Sequence, residues 1–133
     1  MPRIALAIEY NGKDFHGSQY QVGVRTVQLE IESALATFFR KPVRLHLSGR
    51  TDAGVHAAGQ VAHFDVHPGG SDEESRSDKS DREEAEEIDL FRLCASLNGI
   101  MGRDISVRAA QFVSGQFHAR YKAVARQYVY RIL

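Results

Sequence analysis

One stretch of this chain carries residue types and spacings that can do chemistry: Gly49-Arg50-Thr51-Asp52-Ala53-Gly54, with Ser48 before it and Val55-His56 after it. Two glycines bracket an Arg, a Thr and an Asp, and glycine lets the backbone turn through conformations closed to other residues. Arg50 and Asp52 stand two apart, so a tight loop can present both to one cleft. A carboxylate held beside a guanidinium stays ionised at neutral pH. That suits a nucleophile or an electrostatic stabiliser better than a general acid. The same residues also describe an ordinary turn with a surface ion pair, and spacing alone leaves both readings open.

The flanking elements decide what such a loop can face. Residues 43–47 and 57–66 are strand-like runs, which read as a hairpin-like pair with the loop at one end of a sheet, a common place for functional groups. Residues 3–11 alternate Ile4, Leu6, Ile8 and Tyr10 against smaller or polar neighbours, the period-two mark of a half-buried strand. Residues 26–40 carry Val27, Ile31, Leu35 and Phe38 at spacings of three and four, which predicts a helix with Thr26 as N-cap and Lys41-Pro42 as its stop. A second helix is expected over 88–100, with Ile88, Phe91, Leu93, Cys94 and Leu97 on its apolar side and Asn98-Gly99 closing it. Residues 104–113 and 123–133 read as two further strands. The order predicts an α+β domain of the split βαβ kind (ferredoxin-like or RRM-like), an antiparallel sheet with two helices on one face. The loop over 13–25 holds Phe15, His16, Gln19, Tyr20 and Gln21. Its aromatic and amide groups either serve unpaired bases or fold back onto the core.

At 133 residues the chain suits one domain. No apolar run approaches the roughly 18 to 20 residues of a membrane span, and Met1-Pro2-Arg3 leads straight into a strand rather than a signal peptide. One cysteine, Cys94, fits a reducing compartment, so a cytoplasmic location away from membranes is expected. The formal charge of zero is uneven. Between Ser71 and Asp89 ten acids face three bases, a local −7 that leaves +7 on the rest. Residues 71–87 hold no aromatic or branched aliphatic side chain, so an acidic insert at about 68–86 is read as disordered. The basic remainder favours a polyanionic partner, nucleic acid before others.

Gly49-Arg50-Thr51-Asp52-Ala53-Gly54-Val55-His56 resembles the active-site signature of the TruA family of tRNA pseudouridine synthases. The resemblance extends in order through Ile8-Glu9-Tyr10-Asn11-Gly12, Phe15-His16-Gly17-Ser18-Gln19, Arg25-Thr26-Val27-Gln28 and Gly59-Gln60-Val61-Ala62-His63-Phe64. It ends with Phe117-His118-Ala119-Arg120 and Ala125-Arg126-Gln127-Tyr128-Val129-Tyr130. Ser18 departs from it, standing where the family commonly has a tryptophan. The resemblance covers the amino-terminal half of a typical member. It therefore implies that residues 1–133 are an amino-terminal catalytic domain, with the carboxy-terminal domain absent and the full-length protein a homodimer.

That resemblance implies conversion of uridine to pseudouridine in the anticodon arm of tRNA, without cofactor or metal. Asp52 is then the nucleophile or the carboxylate that stabilises the detached intermediate. Arg50 keeps it ionised and fills the gap left by a flipped base. Tyr128 stacks on that base; residue type alone does not separate it from Tyr130. Thr51, Gly54, Gln19, His118, Arg120 and Arg126 are candidate substrate contacts. Arg103, Arg108 and Lys122 are further phosphate candidates on charge alone. His56 and His63 read as satisfied structural histidines. The chain has no Walker-type loop, no paired cysteines, and no histidine–carboxylate cluster at metal-ligand spacing along the sequence. A non-catalytic RNA-binding fragment and a subunit needing a separate carboxy-terminal half are the alternatives.

Overall fold

Strand β1 (Arg3–Tyr10) runs through the middle of the sheet because its side chains divide cleanly by parity. Ile4, Leu6, Ile8 and Tyr10 are buried, while Arg3, Ala5, Ala7 and Glu9 face the other way. In the computed structural model, which describes residues 2–66 and 88–119, a short 3-10 turn (Gly12–Asp14) follows β1. Next come α1 (Val27–Phe39), β2 (His46–Leu47), β3 (Ala57–Asp65), α2 (Leu90–Ile100) and β4 (Ile105–Val113). The sheet order is β2-β3-β1-β4 with every pair antiparallel. This is the expected α+β, split βαβ arrangement. Ile4 stands opposite Phe64, and Leu6 opposite Ala62, on the face that α1 and α2 cover with Val27, Ile31, Ala34, Leu35, Leu93 and Leu97.

Helix α1 begins where capping chemistry places it: the Thr26 hydroxyl accepts from Leu29 N at 3.2 Å. It ends at Arg40, in the left-handed region with φ 59°.

Three expectations need correction. The strand expected over 43–47 is a ladder only at His46–Leu47. Just before it, helix side chains replace a neighbouring strand: Leu45 N donates to Glu32 Oε2 at 2.8 Å, and Leu45 O accepts from Gln28 Nε2 at 3.3 Å. The second helix starts at Leu90, capped by Asp89, whose carboxylate accepts from Phe91 N and Arg92 N. Its end at Ile100 is where it was expected, although Asn98 and Gly99 stay helical rather than closing it in a left-handed turn, and the Asn98 side chain is engaged with Val107 in both directions, at 2.7 and 3.0 Å. Phe91 is not on the apolar side; it is 84% exposed.

The strand expected over 123–133 and the acidic insert lie outside the described residues, apart from the insert's flanks. Among the described residues no helix is long and apolar enough to cross a membrane.

Candidate active site

The loop between β2 and β3 leaves the sheet after Ser48, whose backbone N–H donates to Val61 O at 2.8 Å. From there the backbone is held from behind at several points. Gly49 N and O both bond to the Gln60 amide, at 3.1 and 3.0 Å. Thr51 N donates to Ser18 Oγ at 2.8 Å, and Ser18 N returns a bond to Thr51 O at 3.0 Å. The Thr51 hydroxyl pairs with Tyr10 Oη at 2.8 Å. Beyond Asp52, Val55 N closes a turn onto Asp52 O, Gly54 N donates to Phe15 O, and His56 Nδ1 accepts from Gly12 N at 2.9 Å.

Two glycines make this approach possible. A Cβ on Gly12 would sit 1.9 Å from Val55 O. Gly17 has φ 83°, and a Cβ there would lie 2.9 Å from Thr51 O. No other residue type lets the two loops lie so close.

The loop over 13–25 that supports this backbone is itself clamped. Phe15 is buried against Tyr10, while Tyr20 is 49% exposed, so one aromatic joins the core and the other does not. The Arg25 guanidinium lies 4.2 Å over the Phe15 ring and bridges Asp104 (2.6 Å) and Glu30 (3.1 Å). Hydrogen bonding to Asp104, then Glu30, raises the Arg25 pKa, and Arg25 in turn holds the Asp104 carboxyl below its ordinary range.

What remains outward is the Asp52 and Arg50 side chains, both exposed. They line a cleft of about 380 Å³ with His16, Gln19, Gln21 and Thr51. A neighbouring groove of about 340 Å³ is lined by Gln19, Gln28, Arg44, His46, Arg50 and His118 among others. Gln19 and Arg50 thus border both. Of the residues singled out in the sequence, Asp52, Arg50, Thr51 and Gln19 come together. Gly54 shares their loop, in a left-handed turn with φ 84°. His118 faces the second groove, and Arg108 pairs with Glu9 at the surface. Tyr128, Arg120, Arg126 and Lys122 lie outside the described residues.

One expected contact is missing. Among the described residues no ion pair joins Arg50 to Asp52. The loop turns only after Asp52, at Ala53-Gly54, and both side chains are exposed.

The fold also assembles a histidine cluster that sequence spacing does not show. His46 and His63 are cross-strand partners with rings stacked at 4.8 Å, and His118 meets His63 edge-on at 4.5 Å. The potential ligand atoms of the three lie within 4.8 Å of one another. A stacked pair aims its nitrogens along parallel directions rather than at one ion, and His63 Nδ1 already accepts from Ala119 N at 3.0 Å. The arrangement packs; it does not form a ready metal centre. Burial, with His46 and His118 beside it, pushes His63 down to about 4. His63 and His56 are the satisfied structural histidines their sequence positions suggest.

Sequence reasoning missed Ser18 and Gln60. Gln60 left a signal, since strand parity puts it on the same buried face as Ala62 and Phe64, where an amide needs partners. Ser18 left none.

Fold and loop together define an α+β domain with a carboxylate-bearing cleft at one end of its sheet. A sequence profile described as tRNA pseudouridine synthase matches residues 6–121. The chain is 42% identical over 130 residues to a tRNA pseudouridine synthase A of Gloeobacter violaceus, covering 98% of this chain and 37% of that one. It is 40% identical to a protein of the same name from Pseudoalteromonas translucida (98% and 42% covered) and 43% identical to one from Photobacterium profundum (98% and 43%). The chain belongs to the TruA family of tRNA pseudouridine synthases. It spans about two fifths of the length of these curated relatives.

Proposed function

We propose that this chain carries the aspartate-bearing wall of a site that isomerises uridine to pseudouridine in tRNA. The observation behind this reading is Asp52, an exposed carboxylate on a loop whose backbone is hydrogen-bonded on both sides, at the edge of an open cleft.

In this reaction the bond from N1 of the base to the anomeric carbon of the ribose breaks, the base turns over, and carbon five bonds to that anomeric carbon. The proton of carbon five goes to water and N1 takes up another, so no oxidant, reductant or donor is consumed. Asp52 captures or stabilises the detached intermediate. Arg50, bordering both cleft and groove, fills the space that the flipped nucleotide vacates. Tyr128 stacks on the turned base, and Gln19, Thr51, Gly54, His118, Arg120 and Arg126 contact the RNA. The +7 remainder of the chain favours the phosphate backbone. The target is the anticodon arm, the setting is cytoplasmic, and the full-length protein acts as a homodimer.

Uridine-labelled tRNA carrying tritium at carbon five tests the reading. The chain, with the carboxy-terminal half of a relative supplied, is expected to release label. Asp52→Ala is expected to release none. Absence of release from the unaltered chain under those conditions sinks the enzyme reading and leaves RNA binding. An isolated anticodon stem-loop should compete with whole tRNA, and sedimentation of the full-length protein should give a dimer.

A further inference from the structure

The β2–β3 ladder pairs His46 with His63 and Leu47 with Ala62, and Ser48 N still reaches Val61 O. Continuing the register, the next pair is Gly49 with Gln60. There the two strands part, and the Gln60 side chain supplies the missing rung. Its Oε1 accepts from Gly49 N at 3.1 Å and its Nε2 donates to Gly49 O at 3.0 Å. The second lone pair of Oε1 accepts from Ser48 Oγ at 3.0 Å, and the second N–H reaches Tyr10 Oη at 3.2 Å. Tyr10 passes the connection to Thr51 Oγ1.

All four hydrogen-bonding positions of this amide are in use, and the residue is only 9% exposed. The Gly49 peptide fixes its orientation. A backbone N–H cannot pair with the NH2 end, nor a backbone C=O with the oxygen end. One buried side chain therefore holds the residue before Arg50 through its backbone and the residue before Asp52 through Tyr10.

We infer that Gln60 is a positioning residue for the isomerisation: it sets the angle at which the loop leaves the sheet, and so where Arg50 and Asp52 stand over the cleft. Gln60 touches no substrate and acts only through Gly49 and Thr51. The inference rests on the reading of Asp52 as the reacting carboxylate. A displacement of about 1 Å at a reacting group costs on the order of a hundredfold in rate, so a rigid link of this kind has catalytic consequences.

Gln60→Glu separates this role from simple packing, because it keeps the shape and makes the donors pH-dependent. The ionised carboxylate of that variant would turn a lone pair toward Gly49 O and offer no donor to Tyr10 Oη, drawing the Tyr10 hydroxyl proton toward itself instead of toward Thr51; once protonated it regains one donor. At about pH 8 the variant is expected to lose roughly tenfold or more in kcat with KM changed by less than about threefold. It should recover as the pH is lowered toward about 6, a limb expected to be absent when the unaltered protein is measured alongside, because burial raises a carboxyl pKa into that range. The hydrogen-exchange protection factor of the Gly49 amide should fall and recover with it. Tyr10→Phe keeps the core and removes only the bridge to Thr51, so it should lower kcat by a smaller factor. If both variants keep the unaltered kcat, and Gly49 in Gln60→Glu keeps its protection at about pH 8, the inference is overturned. If the unaltered chain does not isomerise uridine, the proposed function fails instead, and the Gly49 comparison decides the role of Gln60 by itself.

Discussion

The two ends of the β2–β3 pair use reactive-looking residues in opposite ways. At one end, His46, His63 and His118 gather side chains that elsewhere bind metals or move protons, yet their rings pack on one another, stacked or edge-on, and His63 is buried with its Nδ1 committed to Ala119 N. At the other, Arg50 and Asp52 point into solvent while the peptides around them are tied down by Gln60 and Ser18. Residue type does not tell these regions apart. What does is which part of each residue is satisfied: side chains at the histidine end, backbone at the loop. A group free to react on a backbone that cannot drift is the arrangement catalysis needs.

The sharpest way to break this contrast is Asp52→Ala. It should lower isomerisation by about a thousandfold or more while leaving thermal stability near that of the unaltered chain, since an exposed side chain on a held backbone contributes little to folding. Paired melting curves and tritium-release rates check both halves.

Next in size is Gly12→Ala. Its Cβ would overlap Val55 O, so the loop or the 3-10 turn must move, at a cost of about 3 kcal/mol in urea unfolding and with loss of activity. Ser18→Ala leaves Thr51 N without its acceptor and should cost about 1–3 kcal/mol. Its activity should fall, with no new pH limb, which distinguishes it from Gln60→Glu.

At neutral pH the smallest effect belongs to the histidine end. The pKa of His63 is about 4 in the fold against 6.5 for the free group, so between those values the unfolded chain binds a proton that the folded one refuses. Stability is thus unaffected by His63 above pH 6.5 and falls as pH drops from there toward 4, by at most about 1.4 kcal/mol per unit. His63→Phe should flatten that part of the stability profile; an unchanged slope would show that the ring is protonated in the fold.

Local features of this protein were legible in its sequence for a physical reason: each depends on neighbours a few residues away. Parity in β1, the three-and-four spacing of α1 and the Thr26 cap are short-range properties. So are the glycine-flanked loop and the motif that names its family. Errors arose where a distant group supplied the hydrogen bonds. Glu32 and Gln28 shortened β2, and the expected Arg50–Asp52 ion pair did not form.

By itself, then, the sequence determined that Asp52 lies on a turn between two strands of an α+β sheet, because periodicity and glycine placement are local. Only the tertiary structure decided that Ser18, Tyr10 and Gln60 would hold that turn, and that three separated histidines would meet. Those contacts join residues up to 72 positions apart in the chain, as His46 and His118 are, and no spacing rule reaches that far.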